Sequence, residues 1–234
     1  MTYYQLSIPV AFIIFNRPDT TARVFEEIRR AQPPQLLVIA DGPRLNHPED
    51  VEKCAAARAI IEQVDWDCKV LRDFAESNMG CKQRVSSGLD WVFGTVQEAI
   101  ILEDDCLPHP TFFQFCQELL KHYRDDTRIM AINGTNVLGK WKADIQDYHF
   151  SYHGGVWGWA SWRRAWEYYD ASMSMWNDAE VRKRIRLAFR TSRSGLCAPI
   201  YGYHSPSKRY IWCRTNRLKR PQQTPIPYMG GLQC

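Results

Sequence analysis

Short, unbroken apolar runs that end in polar or turn-forming residues, each followed by a stretch with helical spacing, constrain this chain more than any other feature. Residues 8–15 (IPVAFIIF) form a continuous apolar run, mostly β-branched or aromatic, that stops at Asn16-Arg17-Pro18, which reads as a buried strand. Val24, Phe25 and Ile28 then share one helical face until Pro33-Pro34. The unit repeats: Leu36–Ala40 ends in Asp41-Gly42-Pro43, and a helix opening near Pro48 with Glu49, Asp50 and Glu52 carries Val51, Ala55, Ile60 and Ile61. A weaker strand follows at Lys69–Leu71, then a helix from about Gly80 with Val85, Leu89, Val92 and Phe93. Ala99–Leu102 is a fourth strand, Pro110 starts a helix presenting Phe112, Phe113, Cys116, Leu119 and Leu120, and Arg128–Ile132 supplies another strand. This alternation predicts an α/β fold: a mainly parallel, Rossmann-like sheet with helices on both faces. Ligands of such sheets sit beyond the carboxyl ends of the strands. Asn16, Arg17, Asp41, Glu103, Asp104 and Asp105 occupy those ends and should gather on one edge.

At 234 residues and 45% hydrophobic content there is ample material for a core, which excludes general disorder and a disulfide-stapled mini-scaffold. No apolar run approaches the roughly 18 residues needed to span a bilayer, and the opening segment has no basic start or small-residue cleavage site. The eight cysteines include no C-x-x-C pair, which suits buried thiols in a reducing cytoplasm better than disulfides or zinc. The net charge of +4 hides an asymmetry: the last acidic residue is Glu180, and the 54 residues after it hold twelve Lys or Arg, leaving residues 1–180 at −8. Hydrophobic periodicity fades in the same region. The chain therefore divides into an α/β domain, residues 1–180, and a basic, poorly ordered tail, residues 181–234, that reads as a truncated or diverted end and packs outside the domain from about residue 190. No RNA-binding or helix-turn-helix pattern accompanies the charge, so nucleic acid is not an expected partner. The expected location is the cytoplasm, with the tail able to touch the inner face of the membrane.

The segment IILEDDCLP carries the strongest chemical signal. Three adjacent carboxylates directly after a buried strand repel one another unless a cation compensates. Their hard oxygens suit Mg²⁺ or Mn²⁺, which one or two protein carboxylates hold with diphosphate oxygens and water. The bland alternative is a solvated acidic turn capping the Pro110 helix. Asp41, in IADGPR, either accepts a hydrogen bond from a base or ribose or organises a turn. Asn78–Arg84 places glycine and two cations, Lys82 and Arg84, at a helix start, which suits phosphate. His109 and His153 read as surface or packed histidines. Residues 152–169 concentrate aromatics that could face a sugar. Trp159, Trp162 and Trp166, at three- and four-residue steps, read as a core helix, with the Gly154–Gly158 loop and its Trp157 nearer a ligand.

These motifs resemble the GT-A class of nucleotide-sugar glycosyltransferases. PVAFIIFNRPD, IADGPR, NMGCKQRVSSGLDWVF, IILEDDCLPHPTFF and GGVWGWASWRRAW occur in order over roughly residues 8–175. The last two are similar to N-acetylglucosaminyltransferase I, where Glu-Asp-Asp precedes a proline and a Phe-Phe helix and a Gly-Trp segment follows, and the whole pattern is similar to bacterial family 2-like transferases. The resemblance implies transfer of a sugar from a nucleoside-diphosphate sugar, a UDP-sugar by expectation, to a carbohydrate or glycan acceptor. It implies Asp105 as direct metal ligand, Glu103 and Asp104 holding ribose and metal-bound water, Asp41 on the base, Arg17 and Arg84 on the diphosphate, and Trp157 near the sugar. It also implies a carboxylate base beyond the Gly-Trp segment, for which Asp170, Asp178 and Glu180 are the late candidates. A sugar-phosphate nucleotidyltransferase shares this kind of sheet but opens with a Gly-rich loop that FNRPD lacks. A degenerate protein that binds nucleotide sugars without turnover is the remaining reading, favoured by the carboxylate-free tail.

Overall fold

The computed structural model describes residues 5–135, 148–151 and 154–183 and the backbone of 209–213. The first half builds as the periodicity predicts: β1 (Val10–Ile14), α1 (Pro18–Ala31), β2 (Gln35–Ala40), α2 (Glu49–Ala59), β3 (Lys69–Phe74), α3 (Cys81–Thr95), β4 (Glu98–Glu103), α4 (Thr111–His122) and β5 (Ile129–Asn133). The second half adds β6 (Tyr148–Ser151), β7 (Trp159–Trp162), the single-turn α5 (Arg163–Trp166) and β8 (Arg209–Cys213). The strands form one sheet in the order β3-β2-β1-β4-β7-β5-β8-β6. The β3-β2-β1-β4 half is parallel throughout, β5 and β8 pair in parallel, and β7 and β6 run antiparallel to their neighbours.

The central strands are apolar without alternation because both sheet faces are covered. Val10, Phe12, Ile14, Leu36, Val38, Ile100 and Leu102 pack with Val24, Phe25 and Ile28 of α1 and Phe112, Phe113, Cys116, Leu119 and Leu120 of α4. Ala11, Ile13, Leu37, Ile39, Ala99 and Ile101 pack with Leu89, Val92 and Phe93 of α3. Gly88 marks how closely α3 approaches: a Cβ there would lie 2.6 Å from the Ile39 side chain. Gly88→Ala should therefore destabilise by about 1–3 kcal/mol, seen as a lower urea midpoint at unchanged m-value; an unchanged midpoint would show that Ile39 gives way freely.

Three expectations are corrected. Val51 and Ala55 of α2 are exposed, and Cys54 and Ala57 face inward instead. The reason is electrostatic: α2 is set by Asp50, whose buried carboxylate is held by Arg44 and Asn16. Trp159, Trp162 and Trp166 do not share a helix. Trp159 and Trp162 lie in β7, which fills the gap between β4 and β5, and only Trp166 belongs to α5. Lastly, the segment after residue 190 does enter the domain, since Arg209–Cys213 is a strand seated between β5 and β6. The remainder of that tail, residues 184–208 and 214–234, and His153 lie outside the described residues. Cys54, Cys68 and Cys106 are thiols, and no helix among the described residues is long and apolar enough to cross a membrane.

Candidate functional site

The connection after β1 runs outward through β2 to β3, while β4 lies on the other side of β1. The carboxyl ends of β1 and β4 therefore flank a topological switch point, where open α/β sheets leave a crevice. The polar residues that follow these two strands meet there. Arg17 Nη1 donates to Oδ1 of Asp104 at 3.1 Å and to Oδ2 of Asp105 at 2.9 Å. The backbone N–H of Phe15 donates to the other Asp104 oxygen at 3.1 Å. Glu103 ends β4, and its carboxylate accepts no hydrogen bond from the described residues.

Burial and like charge act together on this cluster. Burial first, and the neighbouring Asp105 and Asp104 charges second, push Glu103 up to about 7. Burial raises Asp104 to about 6 against the pull of Arg17. The folded chain thus holds protons that the unfolded chain would release, so these two acids contribute stability below about pH 4 and lose it as the pH rises through about 6 to 7. Glu103→Gln should raise the thermal midpoint of metal-free protein at pH 8, with an effect on the order of 2–3 kcal/mol, and leave it nearly unchanged at pH 4. A midpoint equally shifted at both pH values would show that packing, not charge, is responsible.

Asp41, after β2, does something different from the expected base contact. A carboxylate offers about four acceptor positions, and those of Asp41 are used within the chain: Gly42 N–H at 2.8 Å, Met79 N–H at 2.9 Å, the Asn78 amide at 3.0 Å and Gly80 N–H at 3.2 Å. The side chain is a buried anchor for the loop that leads into α3. Gly80 enters that helix with φ of 80°, a conformation that favours glycine. Arg84 is likewise corrected. It is buried, its guanidinium donates to the Ala40 carbonyl at 3.2 Å and to the Asp73 carbonyl, and it pairs with the Asp73 carboxylate at 2.8 Å. It ties β2 to β3 and offers no free face to a diphosphate. Lys82 is the exposed cation of this helix start, and it lines an open cleft of about 570 Å³ with Met79, Gly80, Cys81, Ala171 and Ser172.

The Gly154–Gly158 loop reaches the same edge because β7 runs antiparallel to β4. Asn133 accepts from the Gly155 N–H at 2.9 Å, Gly134 N–H donates to the Gly158 carbonyl at 2.9 Å, and the Cys106 thiol lies against the backbone of Glu103 and Gly158. Trp157 stands out from this loop, 56% exposed. His109 faces Thr111 at the start of α4, 3.0 Å away.

Among the late carboxylates, Asp170 accepts from the backbone and hydroxyl groups of Ser172 and Ser174, which holds it well below the usual carboxylate range, and Asp178 caps the backbone N–H of Glu180. Neither bonds to the carboxylate cluster. Glu180 lies 3.9 Å from Lys183. The triplet Asn16–Asp50–Arg44 beside β1, built around the buried Asp50 carboxylate, was not legible as a unit: Asn16 bonds Asp50 at 2.7 Å and the exposed Arg44 guanidinium lies over the Phe15 ring at 5.7 Å. Its only sequence signal was an acidic residue where a helix opens.

No group of three or more His, Cys, Asp or Glu side chains among the described residues is arranged to hold a metal by itself. Asp105, with a side chain 40% exposed, and the unbonded Glu103 carboxylate supply hard oxygens at the crevice. That donor set fits a cation completed by ligand oxygens better than a protein-only cage.

No protein-family model and no curated protein sequence matches this chain. Among solved structures, it is similar to the crystal structure of S. aureus TarS 1-349, with a TM-score of 0.44 and 9% identity over 74% of this chain. It spans 52% of that chain, about half its length. The 4-diphosphocytidyl-2C-methyl-D-erythritol synthase of Anaerococcus prevotii matches with TM-score 0.44 and 10% identity over 85% of this chain and 90% of that one. A cytidylyltransferase from Leptospira borgpetersenii matches with TM-score 0.39 and 10% identity over 70% and 63% of the two chains. At these TM-scores the likeness carries no functional assignment, and the reading below rests on the site.

Proposed function

We propose that this chain is a metal-dependent glycosyltransferase that takes a nucleoside-diphosphate sugar, with UDP as nucleotide, and passes the sugar to a carbohydrate acceptor. One observation carries the reading: an Arg from the end of β1 and adjacent carboxylates from the end of β4 converge at the switch point of a parallel sheet. A site with an exposed carboxylate, a partly buried carboxylate that accepts no hydrogen bond from the described residues, and a half-exposed guanidinium suits a ligand that brings both negative charge and metal-coordinating oxygens. A diphosphate does both. In this reading Asp105, with Glu103 beside it, holds Mn²⁺ or Mg²⁺, which when bound supplies Lewis-acid stabilisation of the departing nucleoside diphosphate. Asp104 keeps the crevice in shape through Phe15 and Arg17. Asp41 sets the 78–80 loop as a wall of the nucleotide pocket, Lys82 adds positive charge at the cleft, and Trp157 offers a flat face to a sugar ring.

The engagement of Asp170 and Asp178 in local caps leaves the base that activates the acceptor unassigned among the described residues. Turnover assays test the proposal. Sugar release or transfer from a UDP-sugar in the presence of Mn²⁺ supports it, pyrophosphate release from a nucleoside triphosphate and a sugar phosphate would replace it with a nucleotidyltransferase, and tight donor binding without turnover would leave a binding protein.

A further inference from the structure

The following inference rests on the nucleotide-sugar reading and concerns Arg17. Its Nη1 sits between Oδ1 of Asp104 and Oδ2 of Asp105, at 3.1 and 2.9 Å, so one positively charged nitrogen occupies the place between the two carboxylates. The two anions are not held alike. Asp104 is buried and has a second partner, the Phe15 N–H. Asp105 is exposed, and among the described residues its other oxygen meets only the Cys106 thiol at 3.7 Å. Arg17 is itself half-exposed, with a side chain 44% accessible, and its remaining guanidinium N–H groups make no hydrogen bond to described residues. The contact between Arg17 and Asp105 is therefore the releasable one in the cluster, and a guanidinium and a divalent cation repel each other across a shared oxygen.

We propose that Arg17 is a built-in counter-cation that keeps Asp105 from a divalent metal until a diphosphate draws the guanidinium away. A diphosphate can accept the guanidinium in a bidentate, charge-assisted pair, which frees the Asp105 oxygen as the metal arrives. Metal and nucleotide then bind as a coupled pair, each weak alone, and the coupling is reciprocal: nucleotide tightens metal by the same factor as metal tightens nucleotide.

Calorimetric titrations of the whole chain with Mn²⁺ alone, UDP alone and each in the presence of the other test this, using wild type, Arg17→Gln, Arg17→Lys and Asp105→Asn. Circular dichroism checks that each is folded. Arg17→Gln should bind Mn²⁺ alone about tenfold or more tightly than wild type, and the factor by which UDP tightens Mn²⁺ should fall at least about fivefold, a typical size for a coupling effect. Arg17→Lys, which keeps the charge, should stay closer to wild type in both. Equal or weaker Mn²⁺ affinity in Arg17→Gln, alongside binding that Asp105→Asn removes, would overturn the counter-cation role while leaving the metal site standing. No Mn²⁺ binding by wild type or Arg17→Gln, with UDP present, would overturn both.

Discussion

Replacing Asp105 with Asn should weaken Mn²⁺-dependent UDP binding by tenfold or more. Of the three carboxylates, Asp104 has both oxygens engaged by Phe15 and Arg17, and Glu103 is largely buried at the strand end, which leaves Asp105 as the one with access to an incoming cation. Loss of a charged ligand commonly costs about 1.5–3 kcal/mol, which is a factor of about ten to a hundred in affinity. The fold should hardly notice: the ion pair that Asp105 makes with Arg17 is exposed on both sides, and such pairs contribute about 0–1 kcal/mol. Titrations of wild type and variant with UDP, with and without Mn²⁺, separate the two effects. An affinity that depends on Mn²⁺ equally in both proteins would remove Asp105 from the metal.

Asp41→Ala should be the most damaging single change to stability among the site residues. It strands three backbone N–H groups, of Gly42, Met79 and Gly80, and leaves the Asn78 amide with the Gly42 carbonyl alone of its two acceptors, in a place where Asp41 itself is only 6% exposed. Each buried unsatisfied donor costs about 1–3 kcal/mol, and partial rescue by water leaves a total of roughly 3–5 kcal/mol. For a domain of this size that corresponds to a fall in thermal midpoint of about 10 °C. Under the proposed function the freed 78–80 loop should also blunt discrimination between UDP and other nucleoside diphosphates. Asp41→Asn, which keeps an acceptor, should lie between. A midpoint within about 2 °C of wild type would mean that the loop is held by its other contacts, chiefly the Asn78 N–H to the Pro43 carbonyl.

Much of the architecture was legible because its signals are local. Short apolar runs such as VAFII and AIIL, rich in Ile and bounded by polar or turn-forming residues, read as strands buried on both faces, and the Phe112–Leu120 spacing reads as one buried helical face. The placement of Arg17, Glu103, Asp104 and Asp105 on one edge follows from that, since parallel strands bring their carboxyl ends together whatever their order in the sheet. The misreadings arose where sequence spacing is ambiguous. Trp159, Trp162 and Trp166 fit a helical step, but β4 and β5 each expose a ladder of backbone groups between them, and pairing those groups draws residues 159–162 into a strand. The same demand on the far side of β5 accounts for the strand at Arg209–Cys213, whose flanking composition carries no periodicity to announce it.

The sequence by itself determined the strand and helix alternation, the two-faced core and the cluster of charge at the end of the fourth strand, because each depends on residues within a few positions of one another. Only the tertiary structure decided which charged groups are available to a ligand. Asp41 and Arg84 carry the same formal charges as Asp105 and Lys82, yet the first two are consumed by backbone groups of the loop after residue 77 and of neighbouring strands, and the latter two remain exposed. The physical reason is that a buried charge must be satisfied by whatever partners the fold places around it, and most of those partners lie 11 to 44 residues away along the chain, beyond the reach of any local pattern.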